Sequence, residues 1–313
     1  MRYILKKTFV LIITLLLVSL LAFLAFQIIP ADPVTMLLGT DYTPERAEAL
    51  RESLGLNRNL AVRYLDWLSG FTRGRMGTSY SYAMDVREVL RGKIAVTAAL
   101  SLLSWLLVTG VSIPLGIALA RYEHKSFGRI GVALNQVFMA IPSFFLGILF
   151  TWFFGLVLRL FIPGNFIPFS RSFWGCLGYL FFPALAISLP KIAKVTRLLR
   201  SSILSEMKQE YVLTAYSHGN SRWGVIRTHV LRNALLPVVT YLAMCLADIV
   251  ASSIVVEQVF VVPGLGRLLV SSISGRDYPV ALCIVVIIAF VVVLMNYLAD
   301  VITQIVDPRV RLS

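Results

Sequence analysis

An all-α membrane protein with six transmembrane helices and both termini on the inner side is the fold class this sequence predicts, and three observations predict it. Of the 313 residues, 58% are hydrophobic, at a mean hydropathy of +0.81. That is more apolar surface than a water-soluble core can bury. Uncharged apolar runs long enough to cross roughly 30 Å of hydrocarbon recur along the chain. Basic residues collect between them on one side: the segments assigned to the inner side hold 16 of the 29 Lys and Arg against four acids. The long outer segment 30–93 is nearly balanced, with nine basic and eight acidic residues. The net charge of +13 is therefore a topology signal rather than a nucleic-acid footprint.

Residues 1–29 are the first span. Arg2, Lys6 and Lys7 precede an uncharged run from Phe9 to Ile29, which is too long, and lacks the small-residue cleavage site, for a signal peptide. Pro30-Ala31-Asp32-Pro33 ends it. Residues 30–93 are expected to form a water-soluble extracytoplasmic loop domain. Thr43 and Pro44 read as the cap and first position of a helix ending near Gly55, and a second helix, carrying Tyr64 and Trp67, runs from about Leu60 to Leu68. This domain either caps the bundle or receives an external partner.

Residues 94–306 supply five further spans, at about 94–120, 132–160, 175–189, 235–256 and 280–306. The second of these is interrupted by Ile141-Pro142-Ser143. Proline removes a backbone hydrogen bond that lipid cannot replace, so Pro142 marks a break lining a pathway or a plain kink. Asp248 lies deep in an apolar run and must face protein or water, as a structural partner or on a substrate path. A short external loop at 161–174 carries Pro163-Gly164 and Pro168 as turn signals. After Pro190 the helical pattern continues as a basic stalk, with Lys194, Arg197 and Arg200 at three-residue spacing, and opens an inner loop at 191–234. Residues 307–313, including Asp307, Pro308, Arg309 and Arg311, are a cytoplasmic tail.

The chemistry of a catalyst is missing. No G-x-x-x-x-G-K-[ST], H-E-x-x-H or G-x-S-x-G occurs, and His124, His218 and His229 are scattered along inner loops. Cys176, Cys245 and Cys283 form no C-x-x-C pair and read as buried free thiols. The chain is expected to be no enzyme, to bind no metal and to carry no cofactor. Any active transport must draw its energy from a partner or an ion gradient.

The polar stretch 210–237, EYVLTAYSHGNSRWGVIRTHVLRNALLP, separates two apolar blocks. Trp223, Ile226 and Val230 recur at spacings of three and four and so share one face of a helix. Arg222 and Arg227 point elsewhere, Gly219 can turn the chain, and Pro237 opens the next span. The stretch resembles the signature loop of ABC-importer membrane subunits of the oligopeptide/dipeptide/nickel permease family. Against the general pattern, E-A-A, three residues, Gly, nine residues, I-x-L-P, only Ala215, Gly219 and Leu231 match. The peptide-family form fits Tyr211, Ala215, Gly219, His229, Arg232, Asn233 and Pro237. The outer segment is similar to the family at Gly55-Leu56, Tyr64, Trp67 and Gly77-Thr78-Ser79, although Arg75-Met76 replace an acidic-apolar pair. Residues 257–267, EQVFVVPGLGR, and Arg276-Asp277-Tyr278-Pro279 resemble a second signature, as a re-entrant loop at the outer mouth.

This resemblance implies a type I ABC importer transmembrane domain in a bacterial cytoplasmic (inner) membrane. It also implies a second homologous permease subunit, two cytoplasmic ATPase subunits that bind ATP and Mg, and an extracytoplasmic substrate-binding protein. Glu210, Tyr211, Ala215, Gly219, Arg222, Trp223, Ile226, Arg227, His229, Arg232, Asn233 and Pro237 are then the ATPase-coupling residues, with Trp223 and Ile226 as apolar anchors. Glu257, Pro263, Gly264, Gly266, Arg267, Asp277, Tyr278 and Pro279 form the external gate or binding-protein loop. Pro142 and Asp248 are pathway candidates. The substrate class implied is peptides, with nickel or a metal chelate as the alternative. An ion-gradient-driven carrier or channel would explain the spans but leaves 210–237 without a purpose.

Overall fold

The computed structural model describes residues 2–28, 33–53 and 55–306. The expected end of the first span at 29–32 and the tail 307–313 lie outside the described residues. Within them the protein is helical, its only β feature being an isolated bridge between Thr78 and Asp85. In chain order the helices are α1 (Arg2–Ile28), α2 (Pro33–Leu38), α3 (Pro44–Ser53), α4 (Leu60–Thr72), α5 (Val86–Leu90), α6 (Lys93–Arg121), α7 (Ser126–Ala140) and α8 (Ser143–Phe150), which widens into a π turn at Thr151–Val157. There follow α9 (Phe173–Glu206), α10 (Glu210–Ser217), α11 (Arg222–Val225), a π turn at Ile226–Val230, α12 (Leu231–Ala234), α13 (Leu236–Val259), α14 (Leu265–Ser274) and α15 (Tyr278–Val306). Local signals start several of them. Thr43 Oγ1 accepts the Arg46 N–H at 3.3 Å, Asn59 Oδ1 the Ala61 N–H at 2.9 Å and Asp85 Oδ1 the Arg87 N–H at 2.7 Å, each meeting an orphan donor of a first turn.

Five helices among the described residues are long and apolar enough to cross a membrane, and a sixth span exists if α7 and the α8 segment, bent by 98° at their junction, count as one. Ile141 and Pro142 are extended there, with ψ of 125° and 144°. Pro142 is thus a true break between two helices, not a kink within one. At Pro114, Pro183 and Pro190 the helix carries on. Because α9 does not stop at Pro190, its 34 residues extend about 50 Å at 1.5 Å per residue, well past the hydrocarbon thickness.

The chain forms two compact units, Met1–Thr97 with Pro263–Val293, and Ala98–Val262 with Leu294–Ser313. In the first, Val86 and Leu90 of α5 pack with Leu265, Leu268 and Leu269 of α14 and Val280 and Ile284 of α15. Within the segment 30–93, expected to be extracytoplasmic, α4 lies against α1 and α15. Tyr64 hydrogen-bonds Ser19 of α1 at 2.8 Å, and Tyr64, Trp67 and Phe71 pack around Phe23, Leu282 and Val286. Ser19 lies nine residues inward from Ile28, about 14 Å along the helix, so α4 is built against the apolar spans. Sequence periodicity within α4 could not reveal this, because its partners are distant in the chain.

In the second unit α9 packs against α7, α8 and α13. Polar ties fix these contacts: Asn135 Nδ2 donates to the Ala193 carbonyl at 2.8 Å and Trp105 Nε1 to the Leu242 carbonyl at 2.9 Å. Phe154, Phe161, Phe182 and Phe260 make a ring cluster in offset and tilted geometries. Beside it the Tyr179 hydroxyl donates to the Phe260 carbonyl at 2.7 Å and accepts the Gly164 N–H at 2.9 Å. This clamp sits next to Val261, whose φ of 59° is unusual for a β-branched residue. Tyr179→Phe keeps the ring and orphans both backbone groups; it is expected to lower stability by about 1–3 kcal/mol in mixed-micelle unfolding.

Candidate functional site

The inner elbow is built from the end of the stalk onward. The Tyr211 hydroxyl donates to Glu206 Oε2 at 2.6 Å and accepts from Asn233 Nδ2 at 3.4 Å, so one phenol ties α9, α10 and α12 together. Partial burial, followed by the Glu206 hydrogen bond, raises the Tyr211 pKa, and the phenol stays protonated as the donor. On α10, Val212 and Ala215 are buried. Gly219 then reverses the chain at φ +79°, its N–H on the Tyr216 carbonyl at 2.9 Å. A Cβ at Gly219 would meet nothing within 4 Å, so the demand for glycine is conformational and not steric. Asn220 Nδ2 returns to the Ala215 carbonyl at 3.0 Å, and Ser221 Oγ caps α11 through the Gly224 N–H at 3.2 Å.

The expected pairing of Trp223 with Ile226 as outward anchors is corrected by the structure. Ile226 is 1% exposed and belongs to the core with Val225, Val230 and Ala234, while Trp223 is 39% exposed. Trp223 lies on the α-helical turn Arg222–Val225, and the residues from Ile226 to Val230 that follow wind as a π turn. The Arg121 guanidinium lies 4.8 Å from the Trp223 ring centroid and holds it by a cation–π contact.

Two outward residues escaped the sequence reading: Leu213, 67% exposed, and Tyr216, 38% exposed. They lie one turn apart on α10, beside the buried Val212 and Ala215. Consecutive apolar residues on a short helix beyond the apolar runs were the signal that could have found them. Glu210, Arg222, Arg227, His229, Arg232, Asn233 and Pro237 are also exposed. The elbow thus exposes Leu213, Tyr216 and Trp223 among mostly basic groups.

The outer signature is arranged differently. All eight residues, Glu257, Pro263, Gly264, Gly266, Arg267, Asp277, Tyr278 and Pro279, are buried or half-buried. The fully buried Asp277 carboxylate accepts the Ser79 hydroxyl, the Tyr80 N–H at 3.1 Å and the Ser81 N–H at 3.2 Å. Ser79 Oγ in turn accepts the Tyr82 N–H at 3.0 Å. One carboxylate thereby organises the whole 79–82 turn, joining two family-like segments far apart in the chain. Thr97 Oγ1 accepts the Leu265 N–H at 2.8 Å, where Gly264 starts α14. The short apolar helix α14 begins within the stretch expected to be a re-entrant loop.

Comparison with known proteins now decides the family. The model for binding-protein-dependent transport system inner membrane components matches residues 112–312, and the corresponding N-terminal model matches residues 1–100. The chain belongs to this permease family. The oligopeptide transport system permease protein AppB of Bacillus subtilis is 33% identical over 312 residues, 99% of each chain. The nickel import system permease protein NikB of Staphylococcus aureus is 30% identical over 315 residues, covering 100% of this chain and 92% of its own. In fold, a chain of the MetNI methionine ABC transporter in an inward-facing form matches with a TM-score of 0.57 at 18% identity, over 70% of this chain and 97% of that one. The protein is a multi-pass inner-membrane permease with the type I importer transmembrane fold, not a gradient-driven carrier or channel.

The pathway candidates of the permease sit in its second unit. Pro142 is exposed at the break between α7 and α8. Asp248 meets Lys191, whose Nζ lies 3.5 Å from Oδ2, with side chains 63% and 9% exposed. Lys191 Nζ also donates to Ser252 Oγ at 3.1 Å, and that hydroxyl donates to the Asp248 carbonyl at 2.7 Å. Lys191 reads in the sequence as the first residue of a solvated stalk, yet it is an almost buried cation countering Asp248. Among the described residues no three His, Cys, Asp or Glu side chains could hold a metal ion together. The three cysteines are free and buried.

Proposed function

We propose that this permease is one of two homologous membrane subunits of an ATP-driven importer of peptides, its amino terminus in the cytoplasm and its inner elbow seated on a separate ATPase. The observation that carries this reading is the exposure of Leu213, Tyr216 and Trp223 on the short helices that follow a stalk too long for the bilayer. Exposed apolar side chains interspersed with basic groups fit a partner with an apolar groove and acidic rim. ATP and Mg belong to two such ATPases, and an external binding protein delivers the substrate. The largely exposed Asp248 carboxylate supports a covered or wet face there, since lipid would not tolerate it. The second permease subunit and the substrate path would supply that cover.

Motion of the ATPases on nucleotide binding would pass through the elbow, along the Tyr211 tie to α9, and so to the helices packed on it. This works only if the elbow binds the two ATPase states with different affinities. Leu213→Glu is expected to cut co-purification of the ATPase subunits about tenfold while membrane insertion persists. A cysteine at position 223 should crosslink to the ATPase in a nucleotide-dependent way. Failure of both, with the assembly otherwise intact, would remove the coupling role. In the reconstituted complex, a peptide-loaded binding protein should stimulate ATP hydrolysis; stimulation by a nickel-loaded one alone would replace peptides by metal as the cargo.

A further inference from the structure

The first unit contains a cavity of about 340 Å³ that the transport reading leaves unused. Its floor is apolar, formed by Phe23, Phe26 and Trp67, and its walls include Arg58, Arg63 and Tyr278. Arg58 is engaged by Asp66 at 3.2 Å. The half-buried Arg63 has no ion pair among the described residues, so the walls carry one uncompensated positive charge. The Tyr278 hydroxyl is buried without a hydrogen-bond partner among the described residues. A guanidinium and an orphan hydroxyl in one cavity call for an acceptor-rich, anionic group.

The position of the cavity selects the anion. Gln27, one residue before the end of the α1 helix, is part of its wall. Alongside, α4 exposes Leu60, Val62 and Leu65, and α1 exposes Leu17, Leu21 and Leu24. On the other flank of α4 an open apolar crevice of about 480 Å³ is walled by Leu16, Leu68, Phe71, Val286 and Phe290. Such surfaces belong against acyl chains, and the aromatic and arginine side chains above them belong at the headgroup level. We infer that the cavity of Arg63 and Tyr278 binds the phosphate of an anionic phospholipid at the outer end of α1, with its acyl chains along the exposed faces of α1 and α4.

The test uses the purified full chain in detergent, with lipid retention read by native mass spectrometry. Phosphatidylglycerol should bind about tenfold more tightly than phosphatidylcholine. Arg63→Gln should lower phosphatidylglycerol affinity about tenfold, the size of one charge-assisted hydrogen bond, whereas Arg73→Gln, an exposed charge at the end of α4, should leave it unchanged. Tyr278→Phe keeps the ring against Phe26 and should weaken binding several-fold without loss of monodispersity, which guards against a folding artefact. Wild-type affinity in Arg63→Gln, or an equal loss in Arg73→Gln, would overturn the assignment. Displacement of the lipid by millimolar inorganic phosphate would also overturn it, by marking a site for small soluble anions.

Discussion

Gly219→Ala is expected to leave the permease folded and inserted, to leave ATP hydrolysis by the partner subunits running, and to cut uptake at least tenfold. The physical cause is conformational. Position 219 has φ +79°, a region costing a non-glycine residue roughly 1–2 kcal/mol, and open space around the missing Cβ means that no clash contributes. Alanine relieves the strain by rotating back to negative φ. That swings α11, and the Trp223 it carries, away from the direction set by α10. Gly219→Asn is the discriminating control, because asparagine enters the left-handed region more readily and should restore much of the coupling. Uptake and hydrolysis measured together in proteoliposomes decide the matter. Normal coupling in the alanine variant would show that the elbow angle is not what transmits the motion.

Asp277→Ala should produce the largest loss of stability in the chain, about 3–5 kcal/mol, because it strands the Ser79 hydroxyl and the Tyr80 and Ser81 amides with no acceptor. The 79–82 turn would lose its anchor and open. Tyr80 would register this: burial raises the pKa of its phenol, and opening the turn should bring that titration back towards the ordinary tyrosine range, readable by ultraviolet absorbance. Ser79→Ala removes one donor and the acceptor of the Tyr82 N–H but leaves the Tyr80 and Ser81 amides satisfied, and should cost less, about 1–2 kcal/mol. Limited proteolysis within 77–86 and unfolding in mixed micelles would check the order. A wild-type profile for Asp277→Ala would mean that this carboxylate anchors nothing.

These two sites were legible to different degrees. Gly219 could be singled out from the chain because a turn glycine between short helical patterns is a local feature. Asp277 could be noticed only as part of a family-like stretch expected to form the external gate or binding-protein loop, and its side chain is fully buried. Its donors lie almost 200 residues earlier, beyond the reach of any periodicity argument. The elbow shows the same division within a few residues. Its boundaries follow from polar composition and proline, but its outward face does not. Ile226 is buried with Val225 and Val230, while Leu213 is exposed next to the buried Val212.

By itself the sequence determined that this is a helical membrane protein, where most of its spans begin, and where the chain must break or turn. Those outcomes depend on apolar run length, charge and the conformational limits of proline and glycine, all of which act over a single turn or a single span. Only the tertiary structure decided that α4 lies against the first span through Tyr64 and Ser19, that Lys191 is the counter-charge of Asp248, that Asp277 holds the 79–82 turn, and which short-helix residues face outward. Burial and pairing are set by groups far apart in the chain, and their free energy exists only once those groups have been brought together.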